Sequence, residues 1–190
     1  IIMKHDKSFL RRRSLILRRK NYSNIKRFDF SLIFKLIKKH FSKKKIIIAG
    51  YYPSDSEVDV MKFIEEALEK KFKIVLPVVK NEKNICFYSW ASNEPLYVNR
   101  YGILEPKKKR KETVPDLIMV PLVAFDKNLN RIGYGKGYYD RSLKKIRKIK
   151  KKAIFLGIAY SFQRCKLIPV NQHDFKLDYI FTERGIISSN

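Results

Sequence analysis

Cysteine is nearly absent from this chain of 190 residues. Cys86 and Cys165 stand far apart with no Cys-x-x-Cys spacing, which excludes a disulfide framework and a cysteine zinc site. Acidic residues are scarce too, 18 against 43 basic ones, for a formal net charge of +25. Glycine and proline number seven each, too few for a collagen-like or proline-rich disordered chain. No apolar run approaches the ~20 residues needed to cross a bilayer. The opening Ile1-Ile-Met-Lys-His-Asp6 has no apolar stretch of the signal-peptide kind. The expectation is a cytoplasmic protein with no membrane partner, and a chain opening on Ile suggests either Met3 as the start or an unusual start codon translated literally.

What is present is a globular composition, 45% hydrophobic, long enough to bury a core as one domain over 1–190. The charge excess first suggests nucleic acid or an anionic membrane surface. Its distribution argues otherwise. The cations are mostly lysines, scattered through Lys43–Lys45, Lys107–Lys111 and Lys144–Lys152. They accompany abundant Ile and Asn, so the excess reads as compositional. A basic nucleic-acid-binding protein without catalysis stays as the alternative. Its binding would fall steeply with salt and survive replacement of Lys136.

Apolar spacing predicts helices over 7–20 and 28–41, the first of them strongly basic. Ile46–Ala49, Ile74–Pro77, Leu117–Pro121, Ala153–Ala159 and Tyr179–Thr182 are short β-branched runs of the kind buried on both faces of a parallel sheet. Ser56 is expected to cap a helix over 57–71, and a further helix is expected over 142–150. Residues 80–113 read as irregular, with short β pieces near Ile85–Tyr88 and a turn at Gly102. Helices alternating with strands predict an α/β three-layer sandwich around a mostly parallel, mixed sheet, preceded by an amino-terminal helical segment. In such sheets ligands gather beyond the carboxyl ends of the strands. That rule points to residues 50–57, 121–140 and 160–174.

One segment carries chemistry. In Arg131-Ile-Gly-Tyr-Gly-Lys-Gly-Tyr-Tyr-Asp140 three of the few glycines alternate at 133, 135 and 137. Such a loop can turn successive backbone N–H groups onto an anion. Lys136 and Arg131 add cationic donors for phosphate oxygens, and Asp140 adds a hard oxygen ligand of the kind that holds Mg²⁺. The loop is neither a Walker A motif nor a dinucleotide fingerprint. Asp126-Lys-Asn-Leu-Asn130 reads as a turn presenting the loop. Trp90 and Cys165 read as packing residues, and His173 receives no role.

Together with Pro121-Leu-Val-Ala-Phe-Asp126, the loop resembles the signature of the 5-formyltetrahydrofolate cyclo-ligase family, also called methenyltetrahydrofolate synthetases. Lys7-Ser-Phe-Leu-Arg11, Glu57-Val-Asp59, Tyr101-Gly-Ile-Leu-Glu-Pro106 and Ile168-Pro-Val-Asn-Gln-His-Asp174 with Asp178 resemble further elements of that family, in order and spacing. The resemblance implies ATP- and Mg²⁺-dependent closure of 5-formyltetrahydrofolate to 5,10-methenyltetrahydrofolate, in a monomer acting on small molecules. It implies that Lys7 and Arg11 contact ATP phosphates. Arg131 and Lys136, with the backbone of Gly133, Tyr134, Gly135, Gly137, Tyr138 and Tyr139, would hold the transferring phosphoryl group, and Tyr139 would also stand at the reacting centre. Asp140 and Asp174 would bind Mg²⁺. Glu57 would hydrogen-bond the pterin, with Tyr52, Tyr101 and Tyr139 lining its pocket. A protein that keeps the fold but has lost the activity is a third reading, disfavoured by the presence of every motif residue.

Overall fold

In this computed structural model the described residues are 6–25, 27–42, 45–81, 84–108 and 111–189. Met3 and parts of the lysine runs at 43–45 and 107–111 lie outside them. Helix α1 spans Lys7–Asn21 and α2 spans Ser31–His40. Strand β1 (Ile47–Ala49) leads through a long loop to α3 (Met61–Glu69), and β2 (Lys73–Lys80) turns back into β3 (Asn84–Ser89). A small hairpin follows, β4 (Leu96–Val98) with β5 (Leu104–Pro106). Strand β6 (Leu117–Pro121) precedes a second small hairpin, β7 (Ala124–Phe125) with β8 (Arg131–Ile132). The chain ends with α4 (Tyr138–Ile149), β9 (Ile154–Ile158), β10 (Tyr179–Thr182) and β11 (Gly185–Ser188).

The main sheet has seven strands in the order β11-β10-β9-β6-β1-β2-β3. Its inner five are mutually parallel, and β3 and β11 pair antiparallel at the edges. Alternation along each strand divides the core in two. Ile48, Ile74, Leu76, Leu117, Met119 and Leu156 pack on one face with Ile33, Ile37, Phe63 and Ile64 of α2 and α3. Their neighbours Ala49, Val75, Ile118, Val120 and Phe155 pack on the other with Leu143 and Ile146 of α4. This is the expected three-layer sandwich. Helix α1 lies apart from both cores, its Leu10 clustered with Val123, Ala124, Ile132 and Ile168 around the β7–β8 hairpin.

Three expectations need correction. Ser56 caps no helix. Helix α3 starts at Met61, whose N–H is met by Asp59 Oδ1 at 2.8 Å, because Val58 and Val60 are drawn into the core and hold residues 57–60 out of the helix. The helix expected at 142–150 begins four residues earlier, since Gly137 sits at φ 66° and serves as its N-cap. The strand expected at 74–77 is longer, because β2 runs on through Pro77 to Lys80 and pairs with β3 over six residue pairs; within 80–113 the β piece expected near Ile85–Tyr88 is β3, and Gly102 lies in the turn between β4 and β5. Both cysteines behave as packing residues. Burial pushes the Cys86 thiol up to about 11 and raises that of Cys165.

Gly157, in the middle of β9, shows how tightly the sheet is packed. A Cβ there would lie 2.6 Å from Ile180, 2.7 Å from Leu177 and 2.8 Å from Leu122. Three side chains from different elements would have to retreat together. Gly157→Ala should therefore lower stability by about 1–3 kcal/mol, read from the urea midpoint at unchanged m-value.

Candidate active site

Three features converge beyond the carboxyl ends of the parallel strands. The loop after β1 carries Tyr52 and Glu57. The β7–β8 hairpin and the glycine loop follow β6. The segment after β9 carries Asp174. Helix α1 and the β4–β5 hairpin add their side chains to the same rim. Together they enclose a cavity of about 630 Å³, the size of small-molecule sites. Lys7, Arg11, Tyr52, Glu57, Tyr101, Arg131, Gly133, Tyr134, Gly135, Lys136, Gly137, Tyr138, Tyr139, Asp140 and Asp174 all line it. Pro77, Val79, Ile85 and Leu104 add an apolar wall.

The turn ahead of the glycine loop is built on one carboxylate. Asp126, fully buried, accepts from the N–H groups of Asn128 at 2.9 Å, Asn130 at 3.0 Å and Ile168 at 3.1 Å, and from the Asn130 side chain at 3.0 Å. It fixes the hairpin turn and joins it to the segment that ends in Asp174. Arg131 then enters the interior. One terminal nitrogen donates to Asp140 Oδ1 at 2.8 Å, while its Nε is buried with no partner among the described residues. Burial works against its charge, and Asp140 supports it.

Glycine is needed at two places. Gly135, at φ 98°, has the Arg11 guanidinium 3.3 Å from where a Cβ would stand, so the missing side chain lets Arg11 lie over the loop. Arg11 Nε donates to Gly133 O at 2.7 Å. Gly137 turns the chain into α4 in a left-handed conformation, and a Cβ there would meet Arg141 at 2.8 Å. The first turn of α4 thus opens at the cavity, where unpaired amides and the helix dipole favour an anion.

Lys7 and Arg11 share a face of α1 and reach the same region. Lys7 pairs with Asp174, whose Oδ2 also accepts from Asn171 N–H at 2.7 Å. The Lys136 ammonium rests 3.8 Å from the centre of the Tyr101 ring and 5.8 Å from that of Tyr138. Among the described residues no carboxylate pairs with it. A cation held only by ring faces is available to a stronger anion.

The opposite chemistry lies beside this cluster. Glu57 is not a first-turn helical acid. Its Oε2 accepts from Ser54 N–H at 2.9 Å and Ser54 Oγ at 3.2 Å, and its Oε1 accepts from the Tyr134 hydroxyl at 2.5 Å. Burial, reinforced by the nearby Glu57, pushes the pKa of Tyr134 and of Tyr139 upward, which keeps both phenols protonated as donors. Tyr52 and Tyr101 complete an aromatic lining.

Sequence reasoning passed over Arg18 and Tyr51. Arg18 follows Arg11 by seven residues, a helical spacing that would have placed it on the same face. Tyr51 looked like a turn residue, yet it is buried and its hydroxyl donates to Val58 O at 2.8 Å. Gln163, in a stretch expected at the rim, is buried beneath it and donates to Leu122 O and Val123 O. Asp178 lies away from the cavity, taking both oxygens to Arg147 at 2.7 Å.

Among the described residues no three metal-ligating side chains gather, and no helix is long and apolar enough to cross a membrane. Sheet and cavity together define an α/β enzyme with a cationic, glycine-shaped recess at the strand ends. The chain belongs to the 5-formyltetrahydrofolate cyclo-ligase family, whose profile matches residues 3–183. It is 32% identical over 136 residues to the 5-formyltetrahydrofolate cyclo-ligase of Haemophilus influenzae, covering 68% of this chain and 72% of that one. Identity to the Mycoplasma pneumoniae cyclo-ligase is 33% over 137 residues, 72% of each. Among solved structures, the Aquifex aeolicus 5,10-methenyltetrahydrofolate synthetase superposes with a TM-score of 0.72 at 31% identity, covering 97% of this chain and 93% of that one. A 5,10-methenyltetrahydrofolate synthetase from Mycoplasma pneumoniae gives 0.68 at 29% identity, covering 94% and 99%.

The Arg131–Asp140 pair supports the loop from behind. Asp140→Asn keeps the shape but leaves a buried guanidinium without its counter-charge. It should cost about 3 kcal/mol in urea unfolding.

Proposed function

We propose that this protein closes 5-formyltetrahydrofolate to 5,10-methenyltetrahydrofolate with ATP, releasing ADP and phosphate. The observation that carries the reading is the single cavity in which a cationic glycine loop adjoins an aromatic wall with a fixed carboxylate. An N-formyl oxygen is an amide oxygen and a poor leaving group. Transfer of the γ-phosphoryl group to it, with ADP departing, makes it a good one. N10 then attacks the formyl carbon, gives up its proton to solvent, and the C–O bond breaks as phosphate leaves. The protein's part is positioning and charge neutralisation.

Lys7 and Arg11 would hold the nucleotide phosphates. Arg131, Lys136 and the amides of residues 133–139 would surround the transferring group, with Lys136 leaving the Tyr101 ring to do so. Tyr139 would donate near the reacting centre, its phenol kept protonated by burial. Glu57 would accept from the N–H groups of the pterin, between Tyr52 and Tyr101.

The donor set fits Mg²⁺ of a particular kind. Asp140 and Asp174 line the cavity, and each uses one oxygen in an ion pair, leaving the other without a partner among the described residues. Mg²⁺ is commonly held by one or two carboxylates plus substrate phosphates and water, not by a dedicated protein cage. Asp140 and Asp174 would hold it, and it would neutralise charge on the phosphates.

The test is absorbance. Purified protein should form the methenyl chromophore from 5-formyltetrahydrofolate only with Mg-ATP, and no product from folded protein would overturn the reading. Lys136→Ala should lower kcat by roughly 10²-fold, as for loss of one transition-state donor, with no change in melting temperature. Unchanged turnover would remove Lys136 from the phosphoryl site. Asp140→Asn should raise the Mg²⁺ concentration needed for half-maximal rate.

A further inference from the structure

The first helix buries a cation behind the site that the loop motif does not require. Arg18 is 1% exposed, among the most deeply buried large side chains of the protein. A guanidinium in that position must have its donors met. Its Nε donates to Ser56 Oγ at 3.0 Å, and one terminal nitrogen donates to Leu122 O at 3.4 Å. The other terminal nitrogen donates to the Tyr134 hydroxyl at 2.8 Å and lies 3.8 Å from Asp55.

That arrangement dictates what Tyr134 does. Its oxygen accepts from Arg18, and its single proton goes to Glu57 Oε1 at 2.5 Å. The phenol bridges a buried cation and a carboxylate. Glu57 Oε2 is meanwhile held by Ser54. A carboxylate offers roughly four acceptor sites, so three bonds fix its orientation and leave capacity for a ligand N–H. Tyr134 also sits between Gly133 and Gly135, so the same bridge ties Glu57 to the anion-binding loop.

We propose that Arg18 is a positioning residue for the folate. Acting through Tyr134, it sets the Glu57 carboxylate for the heterocycle. The inference rests on the cyclo-ligase reading and on Glu57 facing the pterin. A purely structural arginine would instead bolt α1 to the loop after β1, and its loss would lower stability and impair the folate and ATP kinetics alike.

The experiment compares wild type, Tyr134→Phe, Arg18→Gln, Arg18→Lys and the Arg18→Gln/Tyr134→Phe double variant. Each is assayed for kcat, for the Michaelis constants of the folate substrate and of ATP, and for melting temperature. Tyr134→Phe should raise the folate Michaelis constant about tenfold, as for one charge-assisted hydrogen bond, and leave that of ATP unchanged, while the melting temperature falls because a donor of the buried Arg18 loses its acceptor. Arg18→Gln should raise the folate constant likewise, the double variant should be no worse than either single, and Arg18→Lys should restore part of the loss. Additive effects on the folate constant, or equal changes in both Michaelis constants, would overturn the proposal. If Arg18→Gln does not fold, a Tyr134→Phe and Glu57→Gln cycle decides it: coupled effects on the folate constant support the bridge and additive ones reject it. Wild-type protein without activity would remove the cyclo-ligase reading and this inference with it. Active wild type with additive variants would remove the inference alone.

Discussion

Arg131 and Asp140 meet at 2.8 Å where the β7–β8 hairpin runs through the glycine loop into α4. The contact closes the loop on itself, because its two partners flank the three glycines. A guanidinium with almost no exposure is stable there only while that carboxylate faces it. The carboxylate is in turn oriented by the Phe175 amide at 3.1 Å, from the segment that brings Asp174. Loop, helix start and downstream segment are thereby set relative to one another before any ligand arrives. Preorganisation of this kind is what phosphate chemistry asks of a protein, since the reacting groups supply the bonds and the protein supplies the field.

The cations around the cavity differ in how firmly they are held. Arg18 is buried and multiply bonded, and Arg131 is buried against Asp140. Lys7 has a carboxylate partner. Lys136 has two aromatic faces. The gradient runs from fixed framework to movable side chain. The chain's large net charge is a separate matter. Most of its lysines stand on outer surfaces, where salt screens them.

Much of this was legible in the sequence, for reasons specific to particular residues. The inner strands were readable because strands buried on both faces must be continuously apolar, as Leu117–Pro121 and Ile154–Ile158 are. The glycine loop was readable because alternating glycines beside Arg and Lys have few other uses. The full length of β2 was harder, since Pro77 looks like a stop, whereas the β piece near Ile85–Tyr88 was readable from its apolar middle between polar ends. The start of α3 was misjudged because Ser56 and Glu57 look like a cap and a first-turn acid. Only the fold reveals that Ser56 receives a buried arginine and Glu57 a phenol. Arg18 itself was hidden among the neighbouring cations of α1, where only its helical spacing from Arg11 sets it apart.

The buried carboxylate of Asp126 has a dynamic consequence. It is the shared acceptor for the amides of Asn128, Asn130 and Ile168, the last of them from a distant part of the chain. None of these N–H groups can be released to water without stranding the same negative charge for the other two. Their exchange with deuterium should accordingly follow one opening event, making the turn and the distant segment a single cooperative unit. Thermal breathing of the recess would then be all-or-none on that side, whatever freedom the β4–β5 hairpin has on the other.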